Sequence, residues 1–347
     1  MFRDIECKCQ LVKNFKPSWF ASVMGTGILA ITTYVYSKYV PLLKDISYLL
    51  FYFNLLLFFI LLIPWTLRWI FFRKEALKDL EHPILSNFYA TIAIGMLVLA
   101  GDSIIIGKEF MLGEIFWFLG AITTLFFGIL TPYIMFKGEH VKLEHINPAW
   151  FIPPVGLIVI PVTGSLIMPH LSGGLLELVI LFNYVGWGAG FFLYLALLAI
   201  SMYRFILHHP LPSVLAPTIW INLGPIGVGT LSLINLVKNS SFITVKEPFF
   251  VFGFLFWGFG IWWVIMAIAM TLHYIKKLKL PYSMSWWAFT FPLGAYVAAS
   301  HTIASLFRIQ LVDYIGFSLY ILLVVLWLVT LIKTIINTYH GTLFKND

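Results

Sequence analysis

Ser283-Met-Ser-Trp-Trp-Ala-Phe-Thr-Phe-Pro-Leu-Gly294 decides how this chain is read. Pro292 and Gly294 interrupt an apolar run, 283–308, that is long enough to cross a bilayer, and Phe289 and Phe291 stand just before them. A hydrocarbon phase offers no water to a freed backbone carbonyl. Such a break persists only where neighbouring protein or a water-filled cavity satisfies it. The segment therefore reads as lining a pore, with Phe291 placed to plug it. The plainer alternative is that the ring only packs between helices.

Composition agrees with a bilayer. The 347 residues are 61% hydrophobic and 11% charged, with mean hydropathy +0.93, whereas soluble domains carry about 25% charged residues. The fold class expected is an all-α integral membrane protein. A net charge of +7 does not point to nucleic acid, because the basic residues are dispersed among short connections. Cys7 and Cys9 read as reduced thiols facing the cytosol rather than a metal pair.

A span needs about 20 apolar residues. Ten segments qualify: 18–38, 46–67, 83–107, 110–136, 148–169, 175–203, 214–237, 249–272, 283–308 and 314–332. They leave an N-terminal tail at 1–17, a membrane domain at 18–332 and a C-terminal tail at 333–347. Sixteen of the 22 Lys and Arg residues fall in one alternating set of connections, among them Arg68, Arg73, Lys74, Lys276 and Lys277. That bias places both termini in the cytoplasm of a multi-pass plasma-membrane protein.

The odd spans open alike: Lys16-Pro-Ser-Trp-Phe20, His82-Pro-Ile-Leu-Ser86, Asn147-Pro-Ala-Trp-Phe151, Ala216-Pro-Thr-Ile-Trp220 and Ser285-Trp-Trp287. Starts at 17, 83, 148, 217 and 285 are separated by 66, 65, 69 and 68 residues. Each step holds one helical hairpin. Five hairpins inserted the same way imply a quasi-five-fold ring around an axis normal to the membrane. The odd spans carry nine prolines against two, Pro64 and Pro132, in the even ones, and kinks at mid-membrane are tolerated best around a lumen. Odd helices are expected inside and even helices against lipid.

Little chemistry is available along such a lumen. No Lys, Arg, Asp or Glu lies in the central part of any span; Asp102, Glu114 and Glu177 sit toward the ends, and His301 is the nearest titratable group to Phe291. There is no H-E-x-x-H, no G-x-S-x-G and no Cys/His cluster, so no enzyme, catalytic residue, cofactor or metal is expected. The expected lining is Gly, Ser, Thr and the helix breaks: Gly25, Thr26, Gly27, Gly95, Pro153, Pro154, Gly156, Gly224, Pro225, Gly227, Pro292 and Gly294, with hydroxyls such as Thr91 and Thr163. Exposed backbone N–H groups and a basic mouth favour anions. The alternative is a proton-coupled carrier, which would need His301.

Pro17-Ser-Trp-Phe-Ala-Ser-Val-Met-Gly-Thr-Gly27, Asn147-Pro-Ala-Trp-Phe-Ile-Pro-Pro-Val-Gly156 and Ser285-Trp-Trp-Ala-Phe-Thr-Phe-Pro-Leu293 resemble the first, fifth and ninth helices of the tellurite-resistance/dicarboxylate transporter family. That group includes bacterial tellurite-resistance channels, fungal malate permeases and sulfite efflux pumps, and plant slow-type anion channels. The resemblance covers essentially the whole chain. It implies ten helices in five hairpins, odd helices around the pore, a homotrimer with one pore per subunit, and a phenylalanine on the ninth helix occluding it. Matching Thr-Phe-Pro-Leu carries that gate to Phe291, with Phe289 as fallback. The implied partners are small anions (malate-type dicarboxylates, sulfite, nitrate or chloride) and the lipid bilayer. For the alternative, the resemblance implies a proton-coupled C4-dicarboxylate carrier.

Overall fold

The computed structural model describes residues 9–138 and 141–344. Ten helical segments dominate it: α1 (Pro17–Tyr36), α2 (Leu42–Phe71), α3 (Leu85–Gly107), α4 (Phe110–Lys137), α5 (Pro148–His170), α6 (Gly173–Leu207), α7 (Ser213–Asn239), α8 (Glu247–Leu278), α9 (Met284–Phe289 followed by Phe291–Phe307) and α10 (Gln310–His340). Among the described residues, nine are long and apolar enough to cross a membrane. This differs from the ten expected. The ninth segment is divided at Thr290, which leaves an α-helix of only 17 residues.

Each odd helix begins as a 3-10 turn before it becomes α-helical: Pro17–Phe20, Leu85–Tyr89, Pro148–Phe151, Ser213–Asn222 and Met284–Phe289. The repeat read from sequence is thus a repeat of backbone conformation. In α9 the switch is sharp. Pro292 has no N–H to give, Thr290 sits at φ −95°, ψ −67°, and its hydroxyl donates to the Trp287 carbonyl at 2.7 Å. The Thr290 N–H donates to the same Trp287 carbonyl at 3.1 Å, so both Thr290 donors close the turn there.

Odd helices contact one another in the order α1, α3, α5, α7, α9, and α9 returns to α1. Each even helix packs on the odd helix before it. The most apolar windows of α1, α3, α5 and α7 are 78–89% buried, against 28–39% for the even helices. The even helices read as rods with two faces. On α2, Leu42, Leu49, Leu56, Ile63 and Ile70 are 59–70% exposed, while Ser47, Asn54, Leu61 and Arg68 are buried. Both sets recur every seven residues, the period of a left-handed helix seam. On α8 that seam carries Gly253, Gly260 and Ala267, small side chains that let helices approach closely.

Tryptophans on even helices tie the layers together. Trp117 donates to the Ile160 carbonyl at 2.9 Å, Trp263 to Ile219 at 2.9 Å, Trp257 to the Ser300 hydroxyl at 2.8 Å and Trp327 to the Thr26 hydroxyl at 3.1 Å. The terminal segments meet on one face, where Asn14 Nδ2 donates to the Phe344 carbonyl at 2.7 Å. Cys9 is disulfide-bonded, which corrects the expectation of a free thiol there. Cys7 lies outside the described residues.

Two glycines set how near α9 can stand to its neighbours. A Cβ on Gly25 would lie 2.1 Å from Thr290 Oγ1, and one on Gly227 would lie 2.5 Å from the Tyr296 backbone nitrogen. The second clash is with backbone and cannot rotate away. Gly227→Ala is expected to cost about 1–3 kcal/mol, the usual range for overpacking, and to lower the melting temperature in detergent. Gly258→Ala, whose Cβ meets nothing within 4 Å, is expected to leave it unchanged. Equal melting temperatures for the two variants would refute the close α7–α9 contact.

Candidate functional site

Two cavities lie along the inner ring. The first, about 40 Å³, is at the end where the odd helices begin; Met24, Thr91, Ile152, Val155, Ile221 and Phe291 are among its walls. The second, about 270 Å³, extends toward the other end and is bounded by residues such as Ile31, Val98, Thr163, Asn235, Phe291 and His301. All five odd helices contribute to both. Phe291, 4% exposed, is the residue the two walls share. Phe289 lines neither; its ring is held edge-on by Trp220 at 5.6 Å and Trp286 at 5.7 Å.

Of the other residues expected along the path, Thr91, Gly224 and Pro292 face the first cavity and Thr163 the second. The rest are placed at helix contacts. A Cβ on Gly27 would meet Asn54 and Asp102, on Gly95 Val23, on Gly156 Ile94 and Thr124, and on Gly294 Ile28. Gly25 and Gly227 abut α9 as described, and Thr26 accepts from Trp327 on α10. The Pro154 carbonyl stands against Gly190 of α6. Pro153 and Pro225 are buried and line neither cavity.

Around Phe291 the sequence reading named Thr91, Gly224 and Pro292 but missed the aliphatic walls such as Met24 and Val155. Met24, Val155, Gly224 and Pro292 each stand seven residues after the start of their repeat, and Thr91 stands eight after. Superposing the five repeats by offset would have found them. The nearby hydroxyls offer few protons to a ligand, because they are already committed. Thr91 donates to carbonyls of Pro17 and Phe88 at 2.8 and 2.6 Å, and Thr218 to Leu215 at 2.6 Å.

Charge appears only beyond the collar. His301 Nδ1 is 3.0 Å from Asp313 Oδ1, and Lys38 Nζ is 2.6 Å from Asp313 Oδ2. Asp313 is 4% exposed and Lys38 40%; of the three, His301 lines the larger cavity. Asp102 takes no part in either wall. Fully buried, it accepts from Asn54 Nδ2 at 3.2 Å, a link between α2 and α3.

A family model described as voltage-dependent anion channel matches residues 14–335. The chain belongs to that family. This agrees with the tellurite-resistance/dicarboxylate resemblance. Among similar proteins, an uncharacterized transporter of Methanocaldococcus jannaschii is 63% identical over 99% of both chains. The sulfite efflux pump of Arthroderma otae is 27% identical, covering 96% of this chain and 93% of that one. The malic acid transport protein of Schizosaccharomyces pombe is 21% identical, covering 92% and 77%. This member of the voltage-dependent anion channel family is accordingly a multi-pass membrane transporter of small anions and not an enzyme.

The two cavities predict opposite accessibility. With Cys7 and Cys9 replaced by serine, a cysteine at Thr91 should react with a small charged thiol reagent only from the face carrying the termini. One at Asn235 should react only from the other. Reaction of both from one face would show a continuous cavity and contradict the barrier between them.

Proposed function

We propose that this family member is a passive channel for small anions, running along the axis of the five odd helices and closed at Phe291. The observation that carries the reading is the shared wall: one aromatic ring borders both cavities. Beside it, about 40 Å³ has room for little more than a single water. Met24, Ile94, Val155 and Ile221 complete an apolar surround. An ion entering it loses hydration without gaining a partner, and that is a dewetting barrier. Rotating or removing the ring joins the cavities.

Selectivity for anions follows from what flanks the barrier rather than from the barrier. The lining lacks a carboxylate ring, which a cation pore would use. Lys13, Lys16, Lys74 and Lys78 stand around a wide cleft on the terminal face and raise the local anion concentration. The names of the malate and sulfite relatives favour a dicarboxylate or sulfite as cargo, with nitrate and chloride as smaller candidates. In this reading the channel sits in the plasma membrane with both termini cytoplasmic, as a homotrimer of independent pores. Residues 18–332 form the pore domain between short tails.

The test is an anion-substitution series on Phe291→Ala in proteoliposomes. Conductance should rise about tenfold or more over wild type, a barrier change of at least ~1.4 kcal/mol, for chloride, nitrate, sulfite and malate in turn. Wild-type flux for every anion would remove Phe291 from the gate. A second reading, the proton-coupled dicarboxylate carrier, draws support from His301 on the wall of the larger cavity, 3.0 Å from Asp313. It predicts malate uptake that saturates, follows an imposed pH gradient and is lost in His301→Gln. Current that tracks voltage with no pH gradient favours the channel.

A further inference from the structure

Two arginines occupy the same place in two hairpins. Arg68 stands three residues before the end of α2 (Leu42–Phe71) and Arg204 three before the end of α6 (Gly173–Leu207). Each carbonyl accepts the N–H that ends its helix, from Phe72 at 2.8 Å and from His208 at 3.0 Å. Both residues are buried, 3% and 2% exposed. Each also donates one bond to a backbone carbonyl, Arg68 to Lys13 at 2.9 Å and Arg204 to His209 at 3.2 Å. Each guanidinium keeps one buried nitrogen without a hydrogen-bond partner, Nη1 of Arg68 and Nε of Arg204, and Nδ1 of His208 beside Arg204 is unpartnered too. There the likeness stops. Arg68 has a counter-ion, Asp79, at 2.6 Å. Arg204 has no carboxylate within ion-pair distance among the described residues.

What faces Arg204 in place of an aspartate is a cavity of about 340 Å³ between the ends of α6 and α8 and the start of α7. Its walls are mainly apolar: Ile206, Trp262, Trp263, Met266 and Met270. Ile206 is 72% exposed and Trp262 45%, on even helices whose outer faces suit acyl chains. A guanidinium removed from water needs an anion, because an unpaired buried charge costs several kcal/mol. Arg68 shows that this fold supplies one at the equivalent position.

We propose that this groove binds an anionic phospholipid, its phosphate on Arg204 and His208 and its chains over Trp262, Met266 and Met270. The phosphate chemistry could equally come from a free anion. The hydrocarbon walls favour the lipid, since a small hydrated ion would meet one guanidinium and little other polar surface. The site is separate from the axial cavities, so it stands whether or not Phe291 is a gate.

Native mass spectrometry of the full chain, delipidated and then offered phosphatidylglycerol or phosphatidylcholine, reads the site directly. Wild type should retain phosphatidylglycerol about fivefold better, the effect of ~1 kcal/mol for one basic residue meeting an anionic lipid. Arg204→Gln should bring that ratio to about one. Met266→Trp keeps the arginine but fills the groove, and should lower phosphatidylglycerol retention several-fold. It decides the matter if Arg204→Gln does not fold. Equal retention of the two lipids by wild type, or an undiminished preference in the variants, overturns the proposal. So does displacement of the lipid by millimolar inorganic phosphate, which would mark a free-anion site.

Discussion

A backbone carbonyl that loses its N–H partner in a hydrocarbon phase has to find another inside the protein. Much of this molecule is arranged around that constraint. The odd helices carry the prolines and the 3-10 turns, and they lie inside. The even helices run unbroken enough to face lipid, and present heptad-spaced leucines and isoleucines outward. Tryptophan N–H groups from the even layer reach inward to carbonyls and hydroxyls of the odd layer. In α9 the 3-10 turn closes at Thr290, whose N–H and hydroxyl both donate to the Trp287 carbonyl.

Phe291 inherits its position from the same turn. It is the first residue of the α-helix that follows the 3-10 segment and Thr290, so the break carries the ring to where the two cavities meet. Gly25 and Gly227 hold α9 there, since α1 and α7 approach it too closely for a Cβ. Phe289, two residues earlier, lies on the 3-10 side and is clamped by Trp220 and Trp286. The collar around Phe291 contains aliphatic side chains, and its hydroxyls have spent their protons on carbonyls. In the proposed channel such a collar would exclude ions without binding them.

Much of the architecture was legible in the sequence. Proline asymmetry and the motif recurring at 65- to 69-residue steps gave the hairpins and told odd from even. Residue-level roles were harder to read. Glycine serves close packing and open lining alike, and pattern does not separate them: Gly224 faces a cavity, whereas Gly27 makes room for the Asn54–Asp102 pair. That pair joins residues 48 apart in sequence, and the His301–Asp313–Lys38 cluster spans 275; neither has a local signature. Pro292 marked a break in the ninth span, but hydropathy is blind to how far the 3-10 segment before it extends, so the run counted as one full-length span. The difference between Arg68 and Arg204 is likewise invisible in one dimension, because it depends on where Asp79 folds back.

The proposed barrier rests on the bulk of one side chain at one position. The most direct test is macroscopic anion conductance in planar bilayers for a size series, Phe to Leu to Val to Ala to Gly, placed in turn at 291 and at 289. Conductance should climb stepwise as the side chain shrinks at 291 and stay at the wild-type level throughout at 289. A flat series at 291, or an equal climb at 289, would contradict a barrier made by the Phe291 ring.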